Sequence, residues 1–114
     1  FSTFSLIWRL VMLERDIESR SRKRAETKGW RMMKFISPGH AFVPDDIVMA
    51  PIPLWLQPVI AGYFRFIEFK RTGAKPTEPQ KREHERLRAM GFTVEVVDSV
   101  EAADRVFDDM EDRL

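Results

Sequence analysis

Residues 63–69 have the sequence Tyr-Phe-Arg-Phe-Ile-Glu-Phe, in which Arg65 and Glu68 are the only charges. Aromatic and β-branched residues favour strands, and a nearly uncharged run is typical of a strand buried on both faces. We therefore predict a central strand here. Lys70 follows two positions after Glu68, and side chains two apart on an extended strand leave the same face. An acid and an ammonium are thus expected side by side.

The rest of the chain predicts helices and strands in alternation. Upstream we predict a helix whose apolar stripe (Leu6, Leu10, Leu13, Ile17) ends before Gly29, then strands at residues 30–36 and 46–49. Downstream we predict a helix at 80–90 ended by Gly91, a strand at 93–97, and a helix at 100–113 capped by Ser99. The order α-β-β-β-α-β-α predicts an α/β (α+β) fold.

Residues 50–58, Ala-Pro-Ile-Pro-Leu-Trp-Leu-Gln-Pro, interrupt this pattern. The segment has too many prolines for an internal strand and is too apolar for an ordinary loop. We expect the region around Trp55 to pack either against the core of its own domain or against a second copy of the chain.

Composition limits the class of protein. A chain of 114 residues, 44% hydrophobic, suits one compact domain, which we place at residues 12–114. Residues 1–11 are interpreted as a non-native or upstream-translated extension, because Met12 is a natural start. The absence of cysteine excludes disulfides, thiolate nucleophiles and finger-type zinc sites, and fits a reducing, cytoplasmic location. No apolar run approaches the roughly 20 residues of a membrane span, so no membrane partner is expected.

A second acid precedes the strand at 46–49. Asp45 follows Pro44 and lies 23 residues before Glu68. Two carboxylates can share a hard divalent cation, Mg²⁺ or Mn²⁺, which prefers oxygen ligands, and Lys70 can hold an attacking water. This set predicts metal-dependent cleavage of a phosphodiester. Asp46 is the rival ligand, but adjacent strand residues point to opposite faces, so only one of the two should reach the metal.

Charge is distributed unevenly although the formal net charge is only +1. Residues 15–34 hold eight Lys/Arg and three Asp/Glu, whereas residues 92–114 hold two and eight. The basic segment is either a solvated helix face or a surface for DNA phosphates, with Arg20, Lys23 and Arg24 as candidate contacts and Lys34 as another. Because aromatic residues are not interleaved with these charges, we expect recognition of backbone and shape.

Several short motifs occur in a fixed order from Met12 to Phe107. They are Leu13-Glu14-Arg15-Asp16-Ile17, Lys34-Phe35-Ile36-Ser37-Pro38-Gly39, Val43-Pro44-Asp45, Phe66-Ile67-Glu68-Phe69-Lys70, Pro79-Gln80, Gly91-Phe92-Thr93-Val94 and Val97-Asp98-Ser99. Together they resemble the VRR-NUC family, the virus-type replication-repair nucleases of the PD-(D/E)XK superfamily. The resemblance implies a restriction-endonuclease-like core, in which helices flank a mixed central sheet.

The resemblance also implies roles for individual residues. Glu14, Asp45 and Glu68 would bind the metal, with the backbone carbonyl of Phe69 as a further ligand, and Lys70 would be the catalytic lysine. Gln80 would match the family glutamine that opens the helix after the active-site strand. Similar proteins are structure-selective DNA nucleases, and their phage or bacterial members include Holliday-junction resolvases that act as homodimers in repair or recombination.

Two features of the sequence favour an alternative to nuclease activity. Phe42 stands where the family usually has glycine, so the turn into the second strand is expected to differ. The insertion around Trp55 is longer than a short hairpin. Both features fit a catalytically inactive DNA-binding or assembly module that has kept a nuclease fold. His84, which shares a helix face with Leu87, is interpreted as a satisfied core histidine in preference to a general base.

Overall fold

The computed structural model describes residues 13–114, which form two compact units, one ending at Ala50 and the other spanning Pro51–Leu114. The proposed extension at residues 1–11 and the helical positions Leu6 and Leu10 lie outside the described residues. Leu13 and Ile17 are both more than half exposed. The stripe therefore does not form a buried face over its described part.

The first unit is a helix followed by a hairpin. It contains α1 (Glu14–Thr27), β1 (Arg31–Lys34) and β2 (Asp46–Met49). β1 and β2 are antiparallel, and their register places Lys34 opposite Asp46. Gly29 takes a positive φ of 71° where α1 ends, and the Trp30 N–H donates to the Ala25 carbonyl at 2.9 Å. This turn brings β1 back against α1, over the buried Ala25.

The second unit contains a short 3₁₀ turn (Leu54–Leu56), α2 (Gln57–Tyr63), β3 (Phe66–Phe69), α3 (Glu78–Ala89), β4 (Val94–Val97) and α4 (Val100–Arg113). β3 and β4 are parallel, with Glu68 opposite Val96. Parallel neighbours need a crossover connection, and α3 provides it. The core of this unit is formed by β4 and the three helices, through Ala61, Leu87, Val94, Val97 and Val106.

The α/β class is confirmed, and the pairing is mixed because one ladder is antiparallel and the other parallel. β2 and α4 have the predicted bounds, and Ser99 caps α4 by accepting the Ala102 N–H at 3.0 Å. Over residues 13–114 the strands form two two-stranded sheets, one in each unit.

The central strand was predicted too long and too buried. Tyr63 ends α2 and is 72% exposed, and β3 covers only Phe66–Phe69, with Phe69 65% exposed. The error has a physical cause. Residues 57–63 form a helix because Pro58 stands in its first turn, where a missing N–H is tolerated. The proline-rich segment thus leads into an unpredicted helix.

Arg65, the other charge in the predicted strand, is part of the interior of this unit. Its side chain is 4% exposed. The guanidinium donates to the Ala61 carbonyl at 2.7 Å, to Glu95 at 3.4 Å and to Asp109. Arg65, and then Arg113, hold the pKa of Asp109 below its usual value. The end of α2 is therefore linked to β4 and α4 by one buried cation.

Among residues 13–114, no helix has the length and apolar character that crossing a bilayer requires.

Candidate active site

Glu68 and Lys70 lie at the end of β3 in the second unit. The Lys70 N–H donates to the Val97 carbonyl at 2.8 Å and so continues the parallel ladder one residue past the strand. With the backbone still extended, the side chains of Glu68 and Lys70 leave the same face. Both reach α3, which packs against β4 in the same unit. The predicted placement of both side chains on one face is thus observed, with Lys70 in contact with Gln80 and Glu68 beside His84.

Gln80 connects Lys70 to the start of α3. Its Oε1 accepts a hydrogen bond from Lys70 Nζ at 2.8 Å and another from the Thr77 N–H at 2.9 Å. Thr77 Oγ1 in turn accepts the Gln80 N–H at 3.3 Å, which completes a capping box. Gln80 therefore caps its helix and also contacts a predicted site residue. Because both bonds share one oxygen, the start of the helix fixes the position of the lysine.

His84 lies one turn further along α3. It is 7% exposed, and its Nε2 lies 3.4 Å from Glu68 Oε1. The Glu68 side chain is 28% exposed and remains accessible from solvent. The prediction of a buried histidine is confirmed, but its partner was not predicted. The sequence spacing could have indicated this contact, because residues 80 and 84 share a helix face and residues 68 and 70 share a strand face.

Asp45 and its rival Asp46 have different surroundings in the first unit. Asp45 is exposed, and its backbone carbonyl accepts the Phe35 N–H at 2.8 Å. The Asp46 side chain is only 12% exposed and accepts from Arg22 at 3.2 Å. The neighbouring Glu18, and then Arg22, hold the pKa of Asp46 below its usual value. Of the two carboxylates, Asp45 is the accessible one.

Glu18, which sequence reasoning missed, is at the centre of this unit's polar network. It accepts from Lys34 Nζ at 2.8 Å, and this bond raises the lysine's pKa. Arg22 lies 3.9 Å from Glu18 and also contacts Asp46. Ion pairs therefore connect side chains of α1, β1 and β2, next to Asp45 in the sequence. The spacing of residues 14, 18 and 22 at one helical turn was the available signal.

The remaining predicted residues of the first unit are exposed. Glu14 lies in the first turn of α1 and lines an open groove with Glu18 and Lys34. Arg20, Lys23 and Arg24 are exposed along the same helix. Phe42 adopts a positive φ of 67° with its side chain wholly in solvent. Phe42 therefore has the backbone conformation that glycine would favour. The different turn that we expected from phenylalanine at this position is not observed at this residue.

Among residues 13–114, neither unit contains a group of three His, Asp or Glu side chains that could hold a metal. A magnesium ion, however, commonly uses only one or two carboxylates together with water and substrate oxygens. The exposed carboxylate of Asp45 and the accessible one of Glu68 are donors of the type that a hard cation prefers. Their convergence on one ion stays a prediction.

Comparison with known proteins finds a relative that matches most of the chain. "Putative nuclease p44" of Acyrthosiphon pisum secondary endosymbiont phage 1 is 40% identical over 89 residues, which cover 78% of this chain and 86% of the phage protein. The chain belongs to the family of p44. No protein-family model matches, and no solved structure matches. The identity extends over most of both chains and is not confined to one motif.

Proposed function

We propose that this chain is a nuclease of the VRR-NUC family that hydrolyses DNA phosphodiester bonds with Mg²⁺ or Mn²⁺. The observation that carries the proposal is the Glu68 and Lys70 pair, which α3 holds on one face of β3 through Gln80 and His84. Kinship with a phage protein named as a nuclease supports it. An acid and an ammonium fixed two residues apart are suited to holding a cation and a water beside a phosphate.

In this proposal the acids and the lysine have separate tasks. Asp45 and Glu68 bind the cation, Glu14 completes the site, and the Phe69 carbonyl is a further ligand. A cation held by these residues would supply charge to stabilise the phosphate during the reaction. The Lys70 ammonium has three N–H groups, of which one is used by Gln80. The other two can orient the attacking water, and the fixed Nζ does not need to be reordered during the reaction.

We propose that DNA is bound through its backbone and shape, with a preference for branched substrates such as Holliday junctions. The exposed Arg20, Lys23 and Arg24 on α1 would neutralise phosphates. Cleavage of both strands of a junction would need two symmetric copies, and the exposed Trp55 segment offers apolar surface for a homodimer. Light scattering that gives a monomer mass at micromolar concentration would contradict the dimer.

The test is a cleavage assay on duplex, flap, single-stranded and four-way DNA with Mg²⁺ or Mn²⁺. Lys70→Ala should lower the rate roughly 100-fold, because it removes a preorganised charge at the reacting phosphate. Lys75→Ala is the matched control, since Lys75 is an exposed lysine in the same connection and the substitution removes the same charge. Equal rates for a folded Lys70→Ala protein and the control would remove the lysine from the mechanism.

The same preparation distinguishes the inactive DNA-binding module. Such a module would bind the DNA panel without cutting any member of it. Calorimetry with Mn²⁺ on the native chain and on Asp45→Asn gives the second criterion. A functional cation site predicts weaker binding for Asp45→Asn, whereas identical titrations would indicate that Asp45 does not bind the metal.

A further inference from the structure

Two side chains of α3, one helical turn apart, contact Glu68 in β3 and Lys70 directly after that strand. Gln80 contacts Lys70, and His84 contacts Glu68. The first contact explains how the lysine is fixed. The second has no part in the mechanism proposed above, although it places a buried imidazole against a carboxylate that is proposed to bind metal.

We propose that His84 is a positioning residue that orients the Glu68 carboxylate for the cation. This inference rests on the proposed function. His84 Nε2 lies 3.4 Å from Oε1 of Glu68. Restraining that oxygen from the buried side leaves the other carboxylate oxygen available to a ligand. The imidazole does not touch the substrate or the ion in this arrangement.

The physical reason is the flexibility of glutamate. A partly exposed glutamate side chain rotates about three bonds, and a cation that binds it must first restrict those rotations. A rigid neighbour restricts them beforehand. His84 is suited to this task because it is buried, 7% exposed, on the same helix as the buried Leu87. Polar neighbours that orient metal-binding carboxylates typically change metal affinity about 10–100-fold when removed.

The role of the imidazole nitrogen beside Glu68 can be tested with amide side chains. The amide nitrogen of glutamine lies at about the position of imidazole Nε2, whereas that of asparagine corresponds to Nδ1. His84→Gln should therefore keep a nitrogen near Glu68, and His84→Asn should not. His84→Leu fills the volume without any nitrogen, and it serves as a second variant lacking the contact if the asparagine protein does not fold.

The measurement is Mn²⁺ affinity by calorimetry on the full chain, together with thermal unfolding without metal. We expect the Asn and Leu variants to bind Mn²⁺ roughly 10–100-fold more weakly than the native chain, and the Gln variant to retain most of the affinity. Leu87→Val is the matched control, because it perturbs a buried position on the same helix and leaves the side chains of the Gln80–Lys70 and His84–Glu68 contacts unchanged. It should lower the melting temperature and leave Mn²⁺ affinity unchanged.

The outcomes separate this inference from the proposed function. If the native chain binds Mn²⁺ and Glu68→Gln abolishes binding, native-like affinity in the folded Asn or Leu variant shows that His84 does not position Glu68. Equal losses in the Gln, Asn and Leu variants would also contradict the proposal, because packing and not the nitrogen would then matter. If the native chain does not bind Mn²⁺, or Glu68→Gln binds it normally, the cation site itself is wrong and the role of His84 is rejected with it.

Discussion

At the scale of single residues, Phe42 is the position where backbone conformation and residue type disagree most. It is the only residue other than glycine with positive φ among residues 13–114, and its side chain is fully exposed. A side chain in this backbone region costs about 1–2 kcal/mol, because Cβ approaches the neighbouring carbonyl. No packing of the phenyl ring offsets that cost. The strain is therefore a property of the loop that leads to Asp45.

Phe42→Gly should raise the free energy of unfolding by roughly 0.5–1 kcal/mol. Relief of the strain is partly offset by the larger backbone entropy that glycine loses on folding. Phe42→Ala is the control, because alanine keeps the Cβ atom and hence the strain. Urea unfolding of the three proteins measures the difference. A glycine variant no more stable than the alanine variant would show that φ at this position is not strained.

Residue roles that depend on local patterns could be predicted, and those that depend on contacts between elements could not. Ser99 and Gln80 stand at helix starts, where capping follows from residue type and spacing. Lys34, which donates to Glu18, and Glu68, which lies beside His84, are each on another element, 16 residues away along the chain. The identity of such partners depends on how a helix packs against a strand, which no single stretch of sequence specifies.

At the scale of elements, the buried Arg65 contacts a backbone carbonyl of α2 and carboxylates on β4 and α4. Sequence reasoning treated this arginine as an exception in a buried strand, because the preceding helix was not recognised. With α2 in place, Arg65 becomes the residue that joins the helix to the strand, and its guanidinium can reach back to the Ala61 carbonyl. The prediction of burial was right for Arg65, but the environment is ionic and not apolar.

Asp109→Asn should make the second unit less stable at neutral pH and less sensitive to acid. Hydrogen bonds from Arg65 and then Arg113 lower the pKa of Asp109 below its usual value. A lowered pKa in the folded state contributes stability above that value, and the contribution is lost as pH falls below it. Melting temperatures between pH 7 and pH 3 measure this effect. Asp112→Asn, at an exposed position of the same helix, is the control. An unchanged acid slope in Asp109→Asn would contradict the prediction.

At the scale of the whole molecule, charge is divided between regions while the net charge stays near zero. The basic residues of α1 belong to the first unit, and the acidic residues of α4 belong to the second. The sequence predicted this separation directly, because charge runs need no knowledge of packing. A chain with formal net charge +1 has little general attraction for DNA, so binding should depend on local basic surface.

The last prediction concerns that basic surface. Replacing Arg20, Lys23 and Arg24 together by alanine should weaken DNA binding and reduce its salt dependence. Each lysine or arginine that neutralises a phosphate contributes about 0.9 to the slope of log affinity against log salt concentration. The slope should therefore fall by roughly 2–3 if all three make contacts. Fluorescence anisotropy of labelled four-way DNA without divalent metal measures it between about 50 and 200 mM salt.

The control for this triple variant removes equal charge from another helix. Lys81, Arg82 and Arg86 lie on α3 in the second unit, and two of them already pair with neighbouring glutamates. Their replacement by alanine changes net charge by the same amount, so any general electrostatic effect is the same. We expect a smaller change in slope than for the α1 variant. Equal changes would assign the effect to net charge, and an unchanged slope in the α1 variant would exclude this helix from the DNA-binding surface.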